Sequence, residues 1–516
     1  MKNLLFLFAL SLAFGRPASA GVVAVYHTSD AHGWYSARPA LWDKENSTRP
    51  IGGFPALAAL LKKETTPYLL LDSGDMFQGT PEGILTKGLA SAQLMNQLGY
   101  TAAVPGNHDY DYGEKVLKAV ISSAAFAMLG ANLYVKDSGA NAAYLKPYIM
   151  VERNGRKIAV LGLLGKHTAT ATLPANVAHL RFADEAAAAA HWLPEIKKQN
   201  PDAVVVISHL GLSEEFSLRR LDISTWTFKE APFGTLQVAR AAPGIDLLLG
   251  GHNHTALLKG YQDPVSKTVF GESGYGLSYV TRAELSFDDK TGRLTGVKVD
   301  SVPLWAEEIG EDPAVLKTVA GFNAQVEREM GRTVGEAATA LGFSPEGLDS
   351  GIGNWLCDLF REVTGAQLAF NNTKAMRAEI QKGPVRLRDI YQAMPFDNTI
   401  VTARLTGRQV LRLLADNLRE TASFIQVSGL EVAYLPGPGG RPERISAKYQ
   451  GKEIKPDQEF TVATNNYLAM GGNGGDVFAE AKDLTDTMLP VREAMIKSFT
   501  AGPVSAPPAG RIKRLK

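Results

Sequence analysis

Cysteine is nearly absent: Cys357 is the only one in 516 residues. A single thiol excludes an internal disulfide, so stability must come from core size, with metal as a further source. Cys357 lies in Ile352-Gly-Asn-Trp-Leu-Cys-Asp-Leu-Phe360, whose helical spacing predicts a buried structural thiol. Net charge is equally scarce, at +1 from 54 basic and 53 acidic residues. No bulk field therefore favours nucleic acid or an anionic membrane, and any anionic ligand has to be attracted locally. Long apolar runs are missing too. The stretch Leu4 to Phe14 falls short of the roughly 20 residues a membrane span needs. Preceded by Lys2 and followed by Pro17-Ala-Ser-Ala20, it reads as a secretory signal peptide cleaved after Ala20. The expectation is a periplasmic or secreted protein with no stable membrane insertion after cleavage. No cysteine lies near that site, which argues against a lipid anchor.

What is present is the composition of a soluble globular protein, 45% hydrophobic and 21% charged. The length exceeds a typical single domain and predicts two large ones. From Val22 apolar strands alternate with amphipathic helices, the pattern of a layered α/β or α+β domain. Five of the strands end in short polar turns: Asp30-Ala-His32, Gly74-Asp75, Gly106-Asn107-His108-Asp109-Tyr-Asp111, His209, and Gly251-His252-Asn-His254. Ligands of open sheets gather at the carboxyl ends of strands, so these turns are expected to converge on one crevice. Of nine histidines, five (His32, His108, His209, His252, His254) sit in these turns. The other four (His27, His167, His179, His191) are expected to be packing or surface residues. Carboxylate, amide oxygen and imidazole without thiolate suit Mn, Zn, Fe or Co.

In this order the turns resemble those of the calcineurin-like metallophosphoesterases. The wider stretches Leu71-Asp-Ser-Gly-Asp-Met-Phe-Gln-Gly-Thr80 and Gly106-Asn-His-Asp-Tyr-Asp111 resemble the secreted, two-domain 5′-nucleotidase/UDP-sugar hydrolase branch more narrowly. The resemblance implies an N-terminal four-layer α/β/β/α domain and a C-terminal α/β substrate-binding domain. It implies two divalent metal ions, one held by Asp30, His32, Asp75 and His254, the other by Asp75, Asn107, His209 and His252, with Asp75 as the bridge. His108 is implied as the catalytic imidazole and Asp111 as its orienting carboxylate, with Asp109 competing for that role.

The helix from Asp312, with Pro313 at its first position, is expected to join the domains. The division is then 21–308, a linker over 309–334, and 335–516. In the second domain, Asn371-Asn-Thr-Lys-Ala-Met-Arg377 falls where the family usually has Asn-x-Gly-Gly-x-Arg. Asn372 and Arg377 match its outer positions and are implied to bind substrate phosphate and ribose; Lys374 and Ala375 replace the glycines. Phe396 and Tyr467 are implied to sandwich a nucleobase. Either Asn473 or Asp476 takes the family's acidic position. Phe343 to Ile352 contains no arginine, so a phosphate contact found in some relatives is absent there. The expected function is hydrolysis of nucleotides or nucleotide-sugar pyrophosphates by attack of metal-activated hydroxide on phosphorus. The alternatives are a thiosulfohydrolase, a 2′,3′-cyclic-nucleotide phosphodiesterase and, remotely, a non-catalytic ligand-binding protein. The stretch 212–233 is expected to be a surface insertion, or a lid.

Overall fold

The computed structural model describes residues 21–515 apart from 41, 44, 421, 438 and 439. The expected signal peptide, 1–20, lies outside them. Two six-stranded sheets form the first domain. One contains, in spatial order, Leu294–Pro303, Tyr279–Phe287, Gly21–Thr28, Tyr68–Asp72, Ala102–Ala103 and Ala127–Met128. The other runs Tyr261–Gln262, Val269–Glu272, Leu247–Gly250, Ala203–Ser208, Arg156–Leu163 and Tyr148–Arg153.

The central strands are buried on both faces, and strict alternation decides which neighbour each side chain meets. Val23, Val25, Leu69 and Leu71 point between the sheets, where they join Ile158, Val160, Val205, Ile207, Leu247 and Leu249 in one core. Ala24, Tyr26 and Leu70 point the other way, onto helices Phe54–Lys63 and Leu89–Leu98. Ala159, Leu161, Val204 and Val206 pack outward on helices Glu185–Lys197 and Thr235–Ala241. The result is the four-layer α/β/β/α arrangement. The central strands of both sheets are parallel, so their carboxyl ends open along a common edge.

The stretch 212–233 packs down rather than standing free: Phe216 and Ile223 are buried in the outer core beside Phe228. Helix Pro313–Met330 starts as expected, Asp312 accepting from the Ala314 and Val315 amides. Its Val315 and Val319 belong to the first domain's core. The second domain is built on a five-stranded sheet in the order Ile425–Ser428, Leu368–Asn372, Glu459–Asn465, Thr399–Thr406 and Lys482–Pro490. Alternation sends Leu368 and Phe370 to one core and Ala369 to another, which also holds Cys357 on helix Gly351–Thr364. Cys357 is fully buried. Among the described residues no helix is long and apolar enough to cross a membrane.

Candidate metal centre

The first turn of the site is set by two glycine corners in contact. A Cβ on Gly74 would lie 2.3 Å from the Gly106 nitrogen, and one on Gly106 would lie 2.2 Å from Asp75 Oδ1. Only hydrogen fits at either corner, so the turns after Tyr68–Asp72 and Ala102–Ala103 close on each other and bring Asp75 beside Asn107 and His108. Asp109 fastens this junction. Fully buried, it accepts from the amides of Gly106 (2.8 Å), Asp75 (2.9 Å) and Met76 (3.0 Å).

Asp30, His32, Asp75, His252 and His254 all have left-handed backbone, with φ of 52°, 47°, 56°, 75° and 59°. Each such residue costs about 1–3 kcal/mol and persists where the surroundings over-determine it, which is commonest at functional sites. What these turns deliver is a dense set of acceptors. His32 Nε2 lies 3.0 Å from His254 Nε2 and 3.6 Å from Asp75 Oδ2; His254 Nε2 lies 3.6 Å from Asp30 Oδ1. Asn107 Oδ1 lies 3.1 Å from His209 Nε2 and 2.9 Å from His252 Nδ1, and Asp75 Oδ2 lies 3.3 Å from His209 Nε2.

The tautomers show what this set needs. His209 Nδ1 faces the Ser73 carbonyl at 2.6 Å and His32 Nδ1 faces the Gln78 carbonyl at 2.6 Å. A carbonyl only accepts, so both Nδ1 atoms carry hydrogen, and each ring turns Nε2 to the centre, as a lone pair once any proton there is displaced. The Asn107 amide donates to the Ala171 carbonyl, which leaves Oδ1 facing inward. Lone pairs therefore point at lone pairs unless a positive charge sits among them. The electrostatics agree: burial, reinforced by the Asp75 charge, pushes the Asp30 carboxyl up to about 7. Burial opposes charging His209, but the Asp75 carboxylate outweighs it and raises that imidazole to about 10. Asp30, His32 and His254 on one side, and Asp30, Asp75 and His209 on the other, have ligand atoms mutually within 4.8 Å. This donor set fits divalent cations.

His108 stands apart from the acceptor set. Its Nδ1 lies 2.8 Å from Asp111 Oδ2, and Thr172 Oγ1 donates to Asp111 Oδ1 at 2.8 Å. The second domain reaches the same imidazole. Arg377 Nη2 lies 2.8 Å from His108 Nε2, and the Phe396 ring centroid lies 5.4 Å from that of His108. The Arg377 guanidinium sits over Phe396 at 5.3 Å, with its Nε buried and without an acceptor. Gln78 Nε2 donates to the Pro395 carbonyl, and the Tyr467 hydroxyl to the Thr170 carbonyl. Asn372 is buried, its Oδ1 accepting from Asn465 at 2.8 Å in a chain of asparagines. Asn473 and Asp476 are exposed, and the Gly472–Gly474 turn packs on helix Thr168–Ala171.

Residues 23–256 match the family model described as calcineurin-like phosphoesterase, and residues 333–480 match that of the 5′-nucleotidase C-terminal domain. The chain belongs to the two-domain calcineurin-like phosphoesterases. Members of this family are metal-dependent phosphoester hydrolases, and so is this chain. Protein UshA of Yersinia enterocolitica is 25% identical over 501 residues, covering 88% of this chain and 86% of the relative. The trifunctional nucleotide phosphoesterase protein YfkN of Bacillus subtilis is 27% identical over 548 residues, covering 96% of this chain but only 35% of that longer relative. A 5′-nucleotidase precursor from Thermus thermophilus superposes with a TM-score of 0.83 at 26% identity, covering 96% of this chain and 99% of that one.

Against the expectations for the remaining histidines, His27 is buried with Nε2 2.8 Å from Ser73 Oγ, and His179 and His191 lie at the surface. His167 packs ring against ring on His252, centroids 3.7 Å apart. Gly165, two residues before it and just past the apolar strand Arg156–Leu163, is the same kind of punctuation as Gly74 and Gly106. Thr172 and the structural part played by Asp109 had no such signal.

Proposed function

We propose that this phosphoesterase is an exported nucleotide phosphohydrolase, a 5′-nucleotidase that also accepts nucleotide-sugar pyrophosphates. The observation that carries the reading is Arg377. A guanidinium from the second domain, with a buried Nε still free to donate, stands beside His108 and against the π face of Phe396. A phosphate needs the first group and a base or sugar ring the second.

In this reading Asp30, His32, Asp75 and His254 hold one divalent cation, and Asp75, Asn107, His209 and His252 the other, with Mn, Zn, Co or Fe all suited to nitrogen and oxygen donors. Bound cations supply Lewis acidity toward the phosphoryl group and lower the pKa of water toward neutrality. The chain's own groups do the rest. Thr172 and the His108 Nδ1–H share the two oxygens of Asp111, so that carboxylate stays an acceptor and fixes the imidazole plane. His108, when it carries a proton on Nε2, then faces the developing negative charge and gives that proton to the leaving oxygen. Arg377 neutralises the phosphate, Phe396 and Tyr467 hold the base between them, and Asn372 with Asn473 or Asp476 lines the ribose side. The boundaries 21–308, 309–334 and 335–516 belong to the same proposal, with helix Pro313–Met330 as the joint. Export rests on the signal-peptide reading of residues 1–20. Kinship with proteins named 5′-nucleotidase and UshA supports the choice of substrate class.

The test is a panel of AMP, ADP, UDP-glucose, a 2′,3′-cyclic nucleotide and bis-p-nitrophenyl phosphate with Mn or Co supplied. Release of phosphate from AMP and of nucleotide from UDP-glucose is expected. Hydrolysis of the generic diester without any nucleotide activity would sink the nucleotide reading and leave the metal centre standing.

A further inference from the structure

The ligand scheme above leaves His167 unexplained. It follows strand Arg156–Leu163 and precedes the short helix Thr168–Ala171. Its ring lies face to face with His252, centroids 3.7 Å apart and planes 29° apart, and 6.1 Å from the ring of His209. The three residues bring ligand nitrogens mutually within 4.8 Å. His167 Nε2 is buried and has no hydrogen-bond partner. An orphaned buried polar atom costs about 1–3 kcal/mol, and a ring stacked on its own kind does nothing to repay a missing partner.

The backbone is shaped to keep the ring there. A Cβ on Gly165 would lie 2.0 Å from His167 Cε1 and 2.6 Å from the His209 carbonyl. Gly165 has an ordinary φ, so space alone requires its bare Cα. The strand end is thus built like those that deliver Asp75 and Asn107, with a glycine admitting a ligand-type side chain to the centre.

We propose that His167 is a further nitrogen ligand of the cation assigned to Asp75, Asn107, His209 and His252. That subsite then has three imidazoles, one amide oxygen and one carboxylate oxygen. The inference rests on the two-metal reading. It makes the two subsites chemically unequal: the one with three imidazoles favours Co, Ni or Zn over Mn, whereas the other, richer in carboxylate relative to nitrogen, tolerates harder ions.

The experiment uses the full chain, wild type and His167→Phe, His167→Gln and His167→Ala. Phe keeps a flat ring against His252 without a donor atom; Gln offers an oxygen at similar reach. Bound metal is measured by mass spectrometry after dialysis against a weak chelator, and Co(II) titrations are followed by visible absorption, with far-UV circular dichroism as the folding control. Wild type is expected to retain two equivalents. His167→Phe is expected to retain one, with at least tenfold weaker Co(II) binding at the other subsite and altered absorption bands. His167→Gln should recover part of that affinity. Two equivalents in His167→Phe, with unchanged affinity and spectrum, overturns the assignment and makes His167 a packing residue. Fewer than two equivalents in the wild type instead overturns the two-metal reading on which the assignment stands.

Discussion

Asp109 offers the sharpest energetic test, because its task is visible and separate from the chemistry. The carboxylate accepts three backbone amides, from Gly106, Asp75 and Met76, and is itself fully buried. Truncation in Asp109→Ala orphans all three donors at about 1–3 kcal/mol each. Water entering the vacated space reduces that sum, so the lower end applies, about 3–4 kcal/mol. With a urea dependence of about 3 kcal/mol per molar, the midpoint of the first domain's transition should fall by about 1 M. Asp109→Asn preserves one oxygen, but whichever way the amide turns it sets an N–H against an N–H. Its loss should be more than half that of alanine. The assay is urea unfolding of chelator-treated protein, so that bound metal does not mask the change. Metal retention should fall in parallel, because the Asp75 amide is one of the three held. A midpoint shift under about 0.3 M in both variants would refute the claim that Asp109 fastens the junction of the two glycine corners.

Asp75→Asn should lose both metal equivalents and most activity. His108→Ala should keep both and slow kcat by at least about 100-fold, and a lost equivalent there would show the roles are wrong. Arg377→Ala and Phe396→Ala should raise KM for AMP by roughly tenfold while leaving metal content unchanged; unchanged KM in both removes the second domain from substrate binding. For Asp263, burial alone would raise the carboxyl, but the paired N–H groups of Arg240 and the Ser266 amide outweigh it and hold it at about 2. A depressed carboxylate contributes stability that is full above its unfolded pKa of about 4 and is lost as pH falls toward 2. Asp263→Asn should therefore flatten the melting temperature against pH over that window, and identical slopes would refute the pairing.

The first domain could be read from sequence because its signals are local and repeated. Strand alternation such as Val23/Val25 against Ala24/Tyr26 is a period of two, and each ligand turn follows an apolar strand at a glycine or a strand end. His167 carries a weaker local mark, since the Gly-Lys-His after its strand has no companion carboxylate. The second domain was harder. Its loops are aimed by long-range pairing, and Asn372 shows why: the same side chain that matches a ligand position also bonds Asn465, a residue 93 positions away. Nothing local in Asn371-Asn-Thr-Lys distinguishes a substrate contact from a member of such a chain. Likewise Asp109 and Asp111 are equally plausible partners for His108 on spacing, and only the course of the turn separates amide anchor from imidazole partner.

The bond between Arg377 and His108 has a consequence for binding strength. The two groups that the proposed reaction turns toward a phosphate are already turned toward each other across the domain boundary, at 2.8 Å. A phosphate arriving there does not add to an idle site; it cuts in on an existing couple, and only the surplus over their mutual attraction appears as affinity. The imidazole lone pair is a built-in rival for the guanidinium N–H that an oxyanion would take. In the proposed reading a nucleotide offsets that cost by gripping the second domain with its base, which free phosphate has no means to do. On that reading the contact between the domains works against free phosphate before any substrate is touched.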